Sequence, residues 1–152
     1  MQKLIKKFKI LKKLGATGVK QSFEDEGASR KDIKKMRAMT LAANLDLNVK
    51  VGGCEARNDI SFCKNIKVNG IVAPMIESKY ALKKFIQTVT DYEILVTDKK
   101  IKNKTIQSKT NSLYINLETD LAFNNINTIM NSPSFKLLDG IVIGRSDLVG
   151  SF

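Results

Sequence analysis

Short apolar runs recur along this chain, each closed by glycine, serine or an acid, and amphipathic stretches separate them. The runs read as strands: Gly18–Phe23, Leu47–Val51, Gly70–Met75, Tyr92–Thr97, Leu113–Thr119 and the GIVIG stretch inside Leu138–Leu148. Several are apolar almost throughout, as in a parallel sheet covered on both faces. The intervening stretches carry apolar residues three and four apart, the helical period. Met1–Leu14 predicts a basic amphipathic helix with a Leu4, Ile5, Phe8, Leu11 stripe and a stop at Gly15. That stripe suits packing on a sheet or a barrel end; a membrane-surface role is the competing reading. Ser29 and Asp32 form a capping pair for a helix running to Asn44. A short helix is expected over Glu55–Lys64, another from Ser78 to Val89, and a third over Asp120–Ser132. Residues 98–111 are polar and lysine-rich, the composition of a mobile loop.

Alternating strands and helices imply a doubly wound sheet or a (β/α)8 barrel. No GxGxxG or GxxxxGK[ST] follows any strand, which removes support for a nucleotide fold. Glycines and acids at the strand ends suit a barrel, where the loops after the strands build the site. Such barrels take about 250 residues, and this sequence has 152. The expectation is therefore a single α/β domain over 1–152: a partial (β/α)8 barrel of parallel strands without its C-terminal βα units. No helix is expected to cover the last strand, which leaves an open edge.

Two acids stand out. Glu118 closes the LYINLE strand and Asp147 follows GIVIG. Strand, helix, strand makes these neighbours parallel, about 4.8 Å apart, with both acids at one carboxyl edge. Such a pair suits Mg²⁺ or Mn²⁺. In the competing reading Glu118 caps a helix and Asp147 a turn. Alternation along NVKVGG puts Val49 and Val51 on one face and Lys50 on the other. A lysine inside a barrel is costly unless paired; the alternative is a surface position. Asn116 shares the face of Glu118, and Gly52-Gly53 permits close backbone approach to a ligand.

Composition narrows the picture less than it first suggests. The net charge is +11, but lysine supplies nearly all of it, and the chain is rich in Asn and Ile. Nucleic-acid readers favour arginine forks and stacked aromatics, so no nucleic-acid partner is expected. No apolar run reaches membrane-span length and the N-terminus lacks a secretory apolar core, so a cytoplasmic protein without a membrane partner is expected. Cys54 and Cys63, with no histidine in the chain, form no zinc set and no expected disulfide.

The motifs NVKVGGCEARNDI, GIVAPMIES, YINLET and LDGIVIGRSDL together resemble the HpcH/HpaI aldolase and citrate lyase β-subunit family, a group of phosphoenolpyruvate/pyruvate-type TIM barrels. The resemblance spans about Gly18 to Phe152. It implies a carbon–carbon lyase working through an enolate stabilised by a divalent metal, on a 2-oxo acid or acyl thioester. It implies a homo-oligomer at full length. Glu118 and Asp147 then fall on the metal carboxylates and Lys50 on the basic residue facing the enolate oxygen. Asn116 falls where pyruvate aldolases often carry Gln, a substrate contact. Two departures stand out. Gly27 stands near the family's histidine base, so a carboxylate such as Glu26, or substrate-borne chemistry, has to replace it. Arg145 stands where the aldolases often carry Pro; it either grips a second carboxylate or phosphate or is a solvated loop charge. Ser146 and Asp147 offer backbone N–H groups to a substrate carboxylate. The rival expectation is a non-catalytic ligand-binding or assembly subunit, or an inactive piece of the barrel.

Overall fold

The alternation of side chains along each strand sorts this molecule into two faces. A computed structural model describes residues 1–90 and 111–152. Its five strands lie parallel and in chain order: β1 (Gly18–Ser22), β2 (Asp46–Lys50), β3 (Gly70–Ala73), β4 (Ser112–Leu117) and β5 (Gly140–Ile143). Leu47, Val49, Ile71, Ala73, Leu113 and Ile115 turn to one side and join a core with the helices. Lys50, Asn116 and Glu118 belong to the other, polar side. The sheet curls into a half-barrel, so the polar side is the concave interior.

Helices α2 (Arg30–Ala43), α3 (Arg57–Asn65) and α4 (Lys79–Val89) cover the outer face. They insert Ile33, Ile60, Cys63, Leu82, Phe85 and Ile86, each under 3% exposed, into the core. Each helix begins where local chemistry allows it. Ser29 accepts the Asp32 N–H while Asp32 accepts the Ser29 N–H, a complete capping box before α2. Ser78 accepts the Ala81 N–H before α4. Asn44 ends α2 in the left-handed region at φ 54°, a conformation Asn tolerates.

Helix α1 (Gln2–Lys13) keeps its expected bounds within a residue at each end. Only Phe8 is buried; it packs with Met39 and Ala43 of α2 and with Leu45, and Val19 of β1 joins the margin of that cluster. Leu4 and Leu11 of the expected stripe stay exposed.

The sequence reading also gave one helix over Asp120–Ser132. The structure divides it into α5 (Asp120–Asn124), α6 (Ile126–Met130) and a 3-10 turn over Pro133–Leu137. Asn125 is the joint, and its side-chain amide donates to the Glu77 carbonyl at 3.0 Å. That tertiary bond tethers the joint to the loop before α4. A further correction concerns the last strand. A short helix, α7 (Arg145–Gly150), does follow β5, so Arg145, Ser146 and Asp147 sit in a helical first turn rather than a loop. It covers β5 poorly, for Ile141 and Ile143 remain 38% and 60% exposed. The expected strand at Tyr92–Thr97 and nearly all of the 98–111 loop lie outside the described residues.

Two strands open identically. Asn69-Gly70 precedes IVA and Asp139-Gly140 precedes IVI. Asn69 Oδ1 accepts the Leu47 N–H of β2 at 3.0 Å, and Asp139 Oδ2 accepts the Leu113 N–H of β4 at 2.6 Å. In each case a side chain satisfies the amide of the second residue of the preceding strand. Gly70 makes room for Asn48 and Tyr114 on the concave face, whereas a Cβ at Gly140 would stand in ordinary contact with the same ring. A Cβ on Gly70 would come within 2.9 Å of the Tyr114 ring and would collide with Asn48, and one on Gly140 would lie 3.4 Å from the ring.

Candidate active site at the carboxyl edge of the sheet

Glu118 follows the last residue of β4 and is 2% exposed. It does not cap α5; Thr119 does, accepting the Ala122 N–H. Its carboxylate points inward and is held by three donors. Oε1 accepts the Met75 N–H at 2.9 Å. Oε2 accepts Asn116 Nδ2 at 2.7 Å and Lys50 Nζ at 3.1 Å. The Met75 amide is available because Met75 turns back at φ 48°, just past Pro74. Burial opposes the charge on Glu118, but the bonds from Asn116, Met75 and Lys50 outweigh it and hold the carboxyl below its ordinary value.

Lys50 ends β2, opposite Ser22 of β1 and Val72 of β3. Its ammonium lies between two acids, Glu118 and Asp25, with Asp25 Oδ2 at 2.7 Å. Burial pulls this lysine down. The two hydrogen bonds and the two negative charges more than compensate, so it titrates above an ordinary lysine. The group at the strand ends is therefore a fixed cation between fixed anions, not a neutral amine.

Asp25 is the residue that sequence reading missed. The acidic loop carries Glu24, Asp25 and Glu26, and the expectation rests on Glu26. Both Glu26 and Asp25 are exposed, but the loop carboxylate that reaches Lys50 is that of Asp25. A usable signal was present: Ser22 stands three residues earlier and accepts the Asp25 N–H at 3.2 Å, a local turn that fixes which acid faces inward. Glu24 points instead toward Gly52, where a Cβ would lie 3.0 Å from its Oε1. The Gly52 N–H donates to Asp59. Gly53 has open space where a side chain would stand.

Lys50, Asn116 and Glu118 thus come together. Arg145, Ser146, Asp147 and Glu26 are exposed around the same edge of the sheet or its loops. Gly144 connects the two strand ends: a Cβ there would lie 2.7 Å from Glu118 Cβ and 3.1 Å from its Oε2. Asp147 lies three residues further, in the first turn of α7. Among the described residues no three His, Cys, Asp or Glu cluster as a metal cage. Two carboxylates, with water and substrate completing the shell, are nevertheless a usual Mg²⁺ donor set. Glu118 Oε1 has one hydrogen bond and so one lone pair to give. Asn116 Oδ1 is buried without a partner, a second hard oxygen beside it. These residues fit such an ion.

The pair predicts a pH profile. Glu118 has a lowered pKa, so its contribution to stability is present above the ordinary value of 4.5 and is lost as pH falls through the folded value. Lys50 has a raised one, so its contribution is present below 10.5 and disappears only as pH rises through the folded value. Melting temperature should fall on both sides of a plateau, with a shallower acid limb in Glu118→Gln. An acid limb unchanged by that substitution would contradict the assigned pairing.

The comparisons with known proteins agree with this architecture. No curated protein sequence matches the chain significantly. Among solved structures, an HpcH/HpaI aldolase/citrate lyase family protein from Burkholderia cenocepacia J2315 superposes with a TM-score of 0.74 at 14% identity, 97% of this chain lying on 62% of that one. The citrate synthase SbnG gives 0.75 at 16% identity, over 97% and 59%. An HpcH/HpaI aldolase from Desulfitobacterium hafniense DCB-2 gives 0.72 at 14%, over 97% and 60%. The chain thus spans about three-fifths of the length of these structures. The HpcH/HpaI aldolase/citrate lyase family model matches residues 20–152. The chain belongs to the HpcH/HpaI aldolase/citrate lyase family.

Proposed function

We propose that this chain carries the catalytic edge of a divalent-metal-dependent carbon–carbon lyase acting on a 2-oxo acid or an acyl thioester. The observation that carries this reading is the buried ammonium of Lys50, fixed between Glu118 and Asp25 at the strand ends. A structural core would not need a charge there, since burying ions is no cheaper than burying hydrocarbon. A reaction that develops negative charge on an oxygen does need one.

Glu118 and Asp147 would hold Mg²⁺ or Mn²⁺, which when bound supplies Lewis acidity to the substrate oxygens. Lys50 donates two hydrogen bonds to its acids and retains one N–H for the oxygen of the forming enolate. Asn116 orients Glu118 through its amide and presents its free carbonyl oxygen to a substrate hydroxyl or an ion-bound water. Arg145 offers a fork for a substrate carboxylate. Glu26, with no histidine in the chain, remains the proposed loop base, and Asp25 joins it as a carboxylate already facing the site.

Calorimetry with Mn²⁺ tests the core of this reading. Asp147→Asn should weaken binding by about tenfold or more, as expected when one of two protein ligands is lost. Equal affinity in both proteins would remove Asp147 from the site. Proton exchange on pyruvate or oxaloacetate then separates a lyase from a binding subunit. The absent histidine favours the subunit reading, which predicts metal and ligand binding without exchange.

A further inference from the structure

We infer that helix α1 lies on anionic lipid bilayers. Ten of its 12 residues are exposed, and only Ile5 and Phe8 turn toward α2. The remaining surface is not simply polar. Leu4, Ile10, Leu11 and the capping Leu14 are 37%, 58%, 47% and 78% exposed, against 7% for Phe8. At about 100° per residue they occupy an arc of roughly 120°, separate from the docked face. Six lysines and no acid share the helix with them, and Lys3 and Lys7 fall within that arc.

An anionic bilayer is the partner that uses both components. Aliphatic side chains enter the boundary between headgroups and acyl chains, while lysines run their stems along it and leave their ammonium groups among the phosphates. A nucleic acid would take the lysines but offers nothing to four aliphatic groups, and the helix has no arginine and no exposed aromatic for stacking. A second copy of α1 would bring lysines against lysines. At 12 residues the helix is far too short to span, and no described helix is long and apolar enough to cross a membrane, so the contact is in the plane of the surface. This inference is independent of the lyase reading.

Vesicle flotation of the 152-residue chain tests it, because aggregates sink while lipid-bound protein rises. Phosphatidylcholine vesicles containing phosphatidylglycerol should float about tenfold or more protein than pure phosphatidylcholine, since each lysine near an anionic surface adds to binding. Ile10→Ser/Leu14→Ser should abolish flotation while circular dichroism stays unchanged, and Leu11→Ser, on the same face, should weaken it. Lys3→Gln/Lys7→Gln should weaken it too. No flotation with anionic vesicles overturns the inference. So does full flotation by Ile10→Ser/Leu14→Ser, since that result means lysines alone bind any polyanion.

Discussion

Replacing Lys50 with methionine should destabilise the fold by about 3–5 kcal/mol, the cost of removing one partner from a buried ion pair. Methionine nearly matches the stem, so little cavity forms and the loss is electrostatic. What remains is the Glu118 carboxylate, 2% exposed, with the charge of its counter-ion gone. The Asn116 and Met75 donors still hold it but do not neutralise it. Glu118 should then take up a proton, and the deficit should shrink as pH falls. Urea unfolding at neutral pH reads the effect directly. Adding Glu118→Gln to the same chain should recover part of it, because the two changes act on one interaction and are not additive. A deficit below about 1 kcal/mol would mean that the ammonium is solvated in solution.

Phe85→Ala should cost a similar amount, about 3–5 kcal/mol, for a different reason. Phe85 lies on the inner side of α4, is fully buried, and belongs to the cluster that includes Val49, Ile71 and Ile115. Truncation removes the apolar transfer energy and leaves a cavity the sheet cannot close. Ile143→Ala makes the control. Ile143 is also an apolar strand residue, but it is 60% exposed on β5, so its truncation should stay within about 0.5 kcal/mol. Equal losses at the two positions would mean that something covers β5 in solution. The contrast locates the stability of the described residues on β1 to β4, with β5 as a thinly covered margin.

The elements that sequence reading located well are those with local causes. Ser29 with Asp32, and Ser78, announce their helices through hydrogen bonds made within four residues. Lys50 and Glu118 were legible because alternation along a strand fixes the face of each side chain. The misses have causes of both kinds, local and tertiary. Nothing near Asn125 in sequence shows that Glu77 will bind it and divide a helix. Nothing in GluAspGlu ranks three acids until Ser22 turns the loop and presents the middle one. The α1 stripe suits a sheet or a barrel end, whereas Leu4 and Leu11 stay exposed and the helix meets α2 through Phe8. At Asn125 a residue distant in sequence decides between options that local physics leaves equal, whereas the acidic loop turns on Ser22, a local signal three residues away.

The paired openings of β3 and β5 also set what each position tolerates as the sequence drifts. At 69 and 139 the requirement is an oxygen that reaches the amide of the second residue of the strand before, and the chain already meets it once with Asn and once with Asp. At 69 the same oxygen also accepts Arg37 Nη1 at 2.7 Å, a second demand on that position. At 70 the requirement is emptiness, because Asn48 and the Tyr114 ring both occupy the space a side chain would take, whereas at 140 a Cβ would stand in ordinary contact with the same ring. Glycine at 70 is tied to one side chain on each neighbouring strand. A lineage that gains a side chain at 70 would have to shrink both 48 and 114, a correlated change across three strands, while 140 would drift alone.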